Sequence, residues 1–223
     1  MNYKILYEDN DLILLDKPQG LATTPGNEPD LCTLFFNDYP LYLKVKGFKE
    51  GEGGLLNRLD NETGGIVFFA KTDDGFDYYQ REMKDETIRK FYLAVVEGKP
   101  DKESGMIDTQ IAHHPKNITK MVPVFDYTRH YRGKPQNAMT FWSFLKEKDG
   151  KSLLEIVITK GVRHQIRVHL AGMGHPIIGD KIYNEKTAET PYQYLYANKA
   201  VFLNRQEQRV TVETKPEGWE WIL

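Results

Sequence analysis

The sequence predicts an α+β fold built on a largely antiparallel, mixed β-sheet with flanking helices. Three observations carry that expectation. Apolar runs of strand length recur along most of the chain, several are paired across turn residues, and only a few stretches show helical spacing.

YKILYED and DLILLDKP are the first pair, and Asp9 and Asn10 between them favour a tight reversal, so the chain opens on a hairpin. LATTPGNEPD is rich in Pro and Gly and reads as loop. A helix is expected to begin within residues 32–36. Residues 66–70 are almost continuously apolar behind Gly64 and Gly65, the pattern of a strand buried on both faces. Thr72 can cap a helix in which Phe76, Tyr79 and Met83 recur at helical spacing, ending near Asp85. RKFYLAVVEG alternates as a strand. In AMTFWSFLKEKDGKSLLEIVITK two β-rich runs flank Asp149 and Gly150, a strong hairpin turn. RHQIRVHLAGMG reads as a helix with Ile166, Leu170 and Met173 in one stripe, closed by Gly172 or Gly174, and it places Arg163 and Arg167 one turn apart. YLYANKAVFLNRQEQRVTVETKP reads as further strand. No repeat or linker interrupts the 223 residues, so a single domain over 1–223 is expected.

A hydrophobic content of 40% supplies a core, and no stretch is apolar enough for a membrane span or a signal peptide. A cytoplasmic protein is expected. Cys32 is the lone cysteine and reads as a small buried residue. A net charge of −2 argues against a general polyanion coat. Locally the balance differs: Lys116, Lys120, Arg129, Arg132 and Lys134 stand against Asp126, with Tyr127 and Tyr131 interleaved. Two readings stay open there, an RNA-contacting surface and a solvated loop.

Neither the histidine spacing nor the single cysteine fits a metal motif, and no glycine-rich phosphate loop is present, so no metal and no nucleotide cofactor are expected. The serines lack a nucleophile-elbow context. What remains is Asp60, in a turn before Gly64 and Gly65, with arginines at 58, 163 and 167. A carboxylate bracketed by guanidinium groups stays ionised and fixed in direction, as a nucleophile requires. A structural ion pair beside an ordinary turn is the other reading of the same residues.

Four stretches decide between them: LLDKPQGLATTPG, NRLDNETGG, RKFYLAVVEG and RHQIRVHLAGMGHPIIGDKIY. In this order they resemble the RluA family of RNA pseudouridine synthases over nearly the whole chain. The resemblance implies the pseudouridine synthase fold with a central active-site cleft, and cofactor-free isomerisation of uridine in a tRNA or rRNA. It implies Asp60 as nucleophile, Tyr92 as the ring stacking on the target base, and Arg167 as the cation paired with the aspartate. Arg58 matches the arginine that helps displace the target nucleotide, and Lys17, Pro18 and Gly20 match a motif supporting the active-site loop. RNA contacts are expected from Arg58, Arg163, Lys116, Lys120, Arg129 and Arg132. Asn57, Gly64 and Val162 depart from the usual histidine, serine and arginine, and Arg163 replaces a serine or threonine. A monomer without a separate S4-like RNA-binding domain is expected. Two rival functions compete with this reading: a non-catalytic RNA-binding or RNA-chaperone role, and a glycoside hydrolase using Asp60 and Glu62.

Overall fold

The computed structural model describes residues 3–26, 29–186 and 190–223; Asn27 and Glu28 of the expected loop lie outside the described residues. In chain order run β1 (Lys4–Glu8), β2 (Leu12–Lys17), α1 (Leu31–Asp38), a 3-10 turn (Pro40–Lys44), β3 (Gly64–Ala70), α2 (Asp73–Lys84), β4 (Arg89–Glu97), β5 (Ser104–Asp108) and β6 (Gln110–His113). Then follow β7 (Met121–Val124), β8 (Arg132–Gln136), β9 (Met139–Lys148), β10 (Lys151–Ile158), α3 (Gln165–Gly172), β11 (Leu195–Leu203) and β12 (Arg209–Glu213). Strand pairing is mixed and mostly antiparallel, as expected, and no helix among the described residues is long and apolar enough to cross a membrane. Two compact units are present: residues 1–90 with 196–217, and residues 91–195 with 218–223.

In the first unit the strand order is β1-β2-β3-β11, with β12 on β11. The opening hairpin turns on Asp9, whose Oδ1 accepts from the N–H groups of Asp11 and Leu12 at 2.8 Å each. Strands β2 and β3 are buried along their whole length because a helix packs on each face. On one face Leu12, Leu14, Ile66 and Phe68 join Phe76 and Tyr79 of α2. On the other, Phe35 of α1 meets Phe69 with ring centroids 4.8 Å apart. Period-two alternation thus serves two cores. Thr72 caps α2 as expected, accepting from Gly75 N–H at 3.0 Å, and Asp30 caps α1 through Thr33 N–H at 2.8 Å. Cys32 is buried, which pushes its thiol pKa up to about 12.

Strand β11 pairs parallel to β3 at Tyr196 and Ala197, opposite Gly64 and Gly65. These two glycines are steric requirements. A Cβ at Gly64 would lie 2.6 Å from Cε2 of Tyr196, and one at Gly65, where φ is +108°, would lie 2.1 Å from the Ala197 carbonyl oxygen. Tyr196 cannot turn aside, because its hydroxyl donates to Asp16 Oδ1 at 2.6 Å while Thr214 holds Asp16 Oδ2 at 2.6 Å.

In the second unit the main sheet runs β4-β10-β9-β5, and a smaller sheet runs β7-β6-β8. Asp149 and Gly150 close the β9–β10 hairpin with φ of 52° and 71°, the left-handed pair that a two-residue turn needs. Helix α3 begins later than the sequence suggests. His164 stands at φ 55°, and Gln165 starts the helix by accepting from Val162 N–H at 3.0 Å through its own Oε1. Arg163 therefore lies outside α3, which corrects the expectation that it stands one helical turn from Arg167. Gly174, at φ +87°, closes the helix, with His175 N–H donating to Leu170 O at 3.0 Å. Residues 165–170 are all buried, so α3 is enclosed rather than striped.

Gly64→Ser, which restores the residue the resemblance leads one to expect, should destabilise this chain by roughly 1–3 kcal/mol through overpacking against Tyr196. In a double-mutant cycle followed by urea unfolding, the serine should cost less in a Tyr196→Ala background than in the wild type, because the ring it would strike is gone.

Candidate active site

The turn that carries Asp60 is tied to the segment after β2. Gly20 N–H donates to the Asn61 carbonyl at 2.8 Å, and Gln19 Nε2 donates to Glu62 O at 3.1 Å. Thr23 bonds Leu59 twice: its hydroxyl donates to Leu59 O at 2.8 Å and accepts from Leu59 N–H at 3.2 Å. Leu59 is thereby buried between two charged neighbours, so Arg58 and half-buried Asp60 flank an anchored residue. Thr63 N–H closes the turn on Asp60 O at 3.0 Å.

Lys17 holds the same turn from beneath. Its side chain is fully buried, and Nζ donates to Leu21 O at 2.6 Å, Pro18 O at 3.1 Å and Asn61 O at 3.1 Å. Three carbonyls match the three donors of an ammonium group. Burial pulls the amine pKa down to about 7, while the negative charges of Asp60 and Asp16 raise it. Lys17 therefore gives the loop both mechanical support and an electrostatic neighbour for Asp60.

Arg58 is anchored by a residue that the sequence reading missed. Glu52, whose side chain is 5% exposed, accepts from Arg58 NH2 through both oxygens at 2.6 and 2.7 Å, leaving the arginine 42% exposed. Asn57 Oδ1 accepts from Phe68 N–H at 2.8 Å, tying the approach to Asp60 onto β3.

Tyr92 and Arg167 belong to the second unit, Asp60 to the first. Tyr92 lies in β4 and is buried. Arg167 is buried in α3, where Nε and NH2 donate to the two oxygens of Asp180 at 2.8 Å each and the guanidinium lies 5.2 Å from the centre of the Tyr183 ring. Burial alone would raise the Asp180 carboxyl. The hydrogen bonds and charge of Arg167, with the Ile182 and Tyr183 amides, outweigh it and hold the group below the ordinary carboxylate range. Asp180 was visible in the GDKIY stretch, but a carboxylate 13 residues from its arginine gives no spacing signal.

Stretch 113–134 is not a plain loop: it contains β7 and part of β8, both paired to β6. Lys116, Arg129 and Arg132 are exposed there, and Lys120 lies 5.5 Å from the centre of the Tyr183 ring. Arg163 reaches the same region, NH1 donating to Ile118 O at 3.4 Å. Val162 instead packs into an apolar cluster with Ile111, Met121, Ala138 and Val168. Among the described residues no group of three or more His, Cys, Asp or Glu is placed to hold a metal ion.

The sequence profile of a family described as RNA pseudouridylate synthase matches residues 11–172. The chain is 35% identical over 189 residues to the ribosomal large subunit pseudouridine synthase D of Nitrosomonas europaea, covering 83% of this chain and 51% of that protein. It is 33% identical over 201 residues to the ribosomal large subunit pseudouridine synthase C of Rickettsia bellii, covering 88% of this chain and 62% of that protein. The chain thus spans about half to three fifths of the length of these curated relatives. Among solved structures, human RNA Pseudouridylate Synthase Domain Containing 1 matches with a TM-score of 0.78 at 21% identity, over 96% of this chain and 83% of that one. At that identity the likeness is one of fold.

Two substitutions test the supports. Lys17→Met orphans the carbonyls that Nζ holds, at roughly 1–3 kcal/mol for each one left buried without a donor. Between about 7 and 10.5 the unfolded amine binds more protons than the buried one, so wild-type stability should rise with pH across that window relative to Lys17→Met. Urea midpoints from pH 7 to 10 measure the difference, and parallel curves would contradict the buried-amine account. Asp180→Ala leaves Arg167 buried without its carboxylate, an expected loss of roughly 3–5 kcal/mol. Because the Asp180 carboxyl is held below its ordinary 3.8, its contribution is present above that pH and should disappear as the pH falls below it.

Proposed function

Because the chain belongs to the RluA-type RNA pseudouridylate synthase family, we propose that it isomerises uridine to pseudouridine within a structured RNA, with Asp60 as the nucleophile. The observation that supports this reading is the anchored turn around Asp60, which fixes the backbone on both sides of this half-buried residue, near a buried lysine, inside the matching NRLDNETGG stretch. A surface ion pair does not need its backbone carbonyls held by a buried ammonium group.

In the proposed reaction the bond from ribose C1′ to uracil N1 breaks, the uracil turns in place, and a bond forms from C1′ to C5. The proton on C5 then leaves to solvent and one returns to N1, so atoms balance without water, oxidant or cofactor. Asp60 either bonds covalently to the substrate or assists a glycal intermediate; in both routes the carboxylate must be ionised and partly shielded from water. Tyr92 is assigned to the flipped base and Arg167 to the charge of the aspartate. Arg58 is assigned to displacing the target nucleotide from its stack, a step that costs a few kcal/mol. Lys116, Lys120, Arg129, Arg132 and Arg163 are assigned to phosphates.

The relatives named above carry large-subunit ribosomal names, and a ribosomal RNA element is the substrate class we infer from them, with tRNA as the other structured RNA to test. The working unit in this proposal is residues 1–223 as one catalytic domain, acting as a monomer in the cytoplasm.

Asp60→Asn keeps the size and the hydrogen-bonding atoms of the side chain while removing its charge. The variant should fold, bind RNA, and release tritium from RNA labelled at uracil C5 at a rate lower by roughly three orders of magnitude or more. Undiminished release would falsify the nucleophile assignment. Equal rescue of a deletion strain by wild type and Asp60→Asn would instead favour a non-catalytic RNA-binding role.

A further inference from the structure

The small sheet of the second unit carries a feature that phosphate neutralisation does not require. Phe125 and Tyr127 project from the turn after β7 with ring centroids 5.2 Å apart and planes 13° from parallel. Tyr127 is 73% exposed and Phe125 41%. Both large rings face solvent, on a turn whose backbone is fixed. Thr128 N–H donates to Phe125 O at 2.8 Å, and Phe125 N–H donates to the Thr128 hydroxyl at 2.9 Å, so the turn is closed twice.

A cation adjoins the stack in the chain: Arg129 follows it and is exposed, as is Arg132 further on, at the start of β8 opposite His113. At the other end of β7, on the β6–β7 turn, Lys116 is exposed, the His114 ring fixes the backbone by accepting from the amides of Lys116 and Asn117 at 3.1 and 2.9 Å, and Arg163 arrives from outside the sheet to bond Ile118 O. Asp126 is the one carboxylate in residues 113–134.

We propose that Phe125 and Tyr127 form a base-stacking platform that takes an unpaired nucleotide of the RNA substrate onto the open face of Tyr127, with Arg129 on the adjoining phosphate and Arg132 and Lys116, at the far end of the small sheet, on phosphates further along the strand. Every base presents a π-face, so such a platform binds single strand without reading sequence, and a preformed parallel ring pair extends the stack by one member. Charge decides the partner class. An apolar protein surface gains nothing from this concentration of cations, whereas a polyanion with exposed rings satisfies both features. The proposal rests on RNA being the substrate class and adds where unpaired bases are held.

The test uses the full chain and two fluorescently labelled probes, a single-stranded oligouridylate and an RNA duplex of equal length, titrated by anisotropy across a salt series. Tyr127→Ala should weaken single-strand binding roughly 5- to 100-fold, the loss of one base–aromatic stack, with an unchanged salt slope and an unchanged duplex affinity. Tyr127→Phe should stay within about twofold of wild type. Arg129→Ala should reduce the salt slope by about 0.7, the contribution of one phosphate contact on a single strand. Single-strand affinity within twofold of wild type for Tyr127→Ala, or an equal loss on duplex, overturns the platform. Loss of self-association in sedimentation with RNA binding intact also overturns it, by making the rings a contact between copies. Tritium release is followed in parallel on C5-labelled RNA. A Tyr127-dependent single-strand affinity without isomerisation supports the platform and removes only the enzymatic reading; isomerisation with Tyr127-independent binding removes only the platform.

Discussion

A buried lysine amine is tolerated only where its protons find acceptors, and the Lys17 side chain finds three carbonyl oxygens within 3.1 Å. Two of them, from Pro18 and Leu21, belong to its own segment, and the third, from Asn61, belongs to the turn that presents Asp60. The lysine thus converts a chain crossing into a joint. Movement of the Asp60 turn would leave the buried amine short of an acceptor, which costs more than an ordinary loop displacement. Gly20 and Thr23 share the load through backbone and hydroxyl bonds, so the backbone position of Asp60 is set by several independent contacts.

The second unit solves a similar problem with a different pair. Arg167 is buried in an enclosed helix, and Asp180 meets it with both oxygens while accepting two backbone amides of its own. A carboxylate with four donors keeps its charge despite burial, and the arginine is oriented by a planar fork rather than by a single contact. Tyr183 links this pair to the small sheet. Its ring lies under both Arg167 and Lys120, and its hydroxyl accepts from Met121 N–H at 2.8 Å. His169, also buried, is neutralised in effect: its pKa is lowered by burial, and its two ring nitrogens bond Thr140 and the Thr109 carbonyl. Helix α3 therefore carries charge only where a partner has been built for it.

Much of this was legible in the sequence because it depends on near neighbours. Thr72 before a helical stripe, Asp149 and Gly150 between two β-rich runs, and an unbroken apolar stretch behind paired glycines each state a local rule that the fold obeys. Less was legible where partners are distant. Glu52 and Asp180 are ordinary acidic residues until the fold sets them against Arg58 and Arg167. The small sheet escaped because β6 and β7 have four residues each, and β7 contains Pro123, so neither shows a period long enough to count. The start of α3 was misplaced because the αL conformation of His164 follows from Gln165 bonding back to Val162, a side-chain cap that helical periodicity does not encode. The residues assigned to chemistry came from motif resemblance, since an aspartate in a turn has no chemical meaning from spacing alone.

The departures from the family pattern follow the same logic and are accounted for by packing. Gly64 answers a fixed tyrosine: with the Tyr196 ring locked through Asp16, no side chain fits opposite it. Asn57 can serve where a histidine is usual because its carbonyl takes the Phe68 amide and so keeps the strand attached to the loop. Val162 fills an apolar cluster that an arginine would disrupt, and Arg163 beside it points outward to the Ile118 carbonyl. The cation has in effect moved by one residue, from a place where burial would penalise it to one where it joins the charged face of the small sheet. A family motif read as a string records that change as two losses. Read as chemistry, it is one charge displaced along the chain with its neighbours adjusted to match.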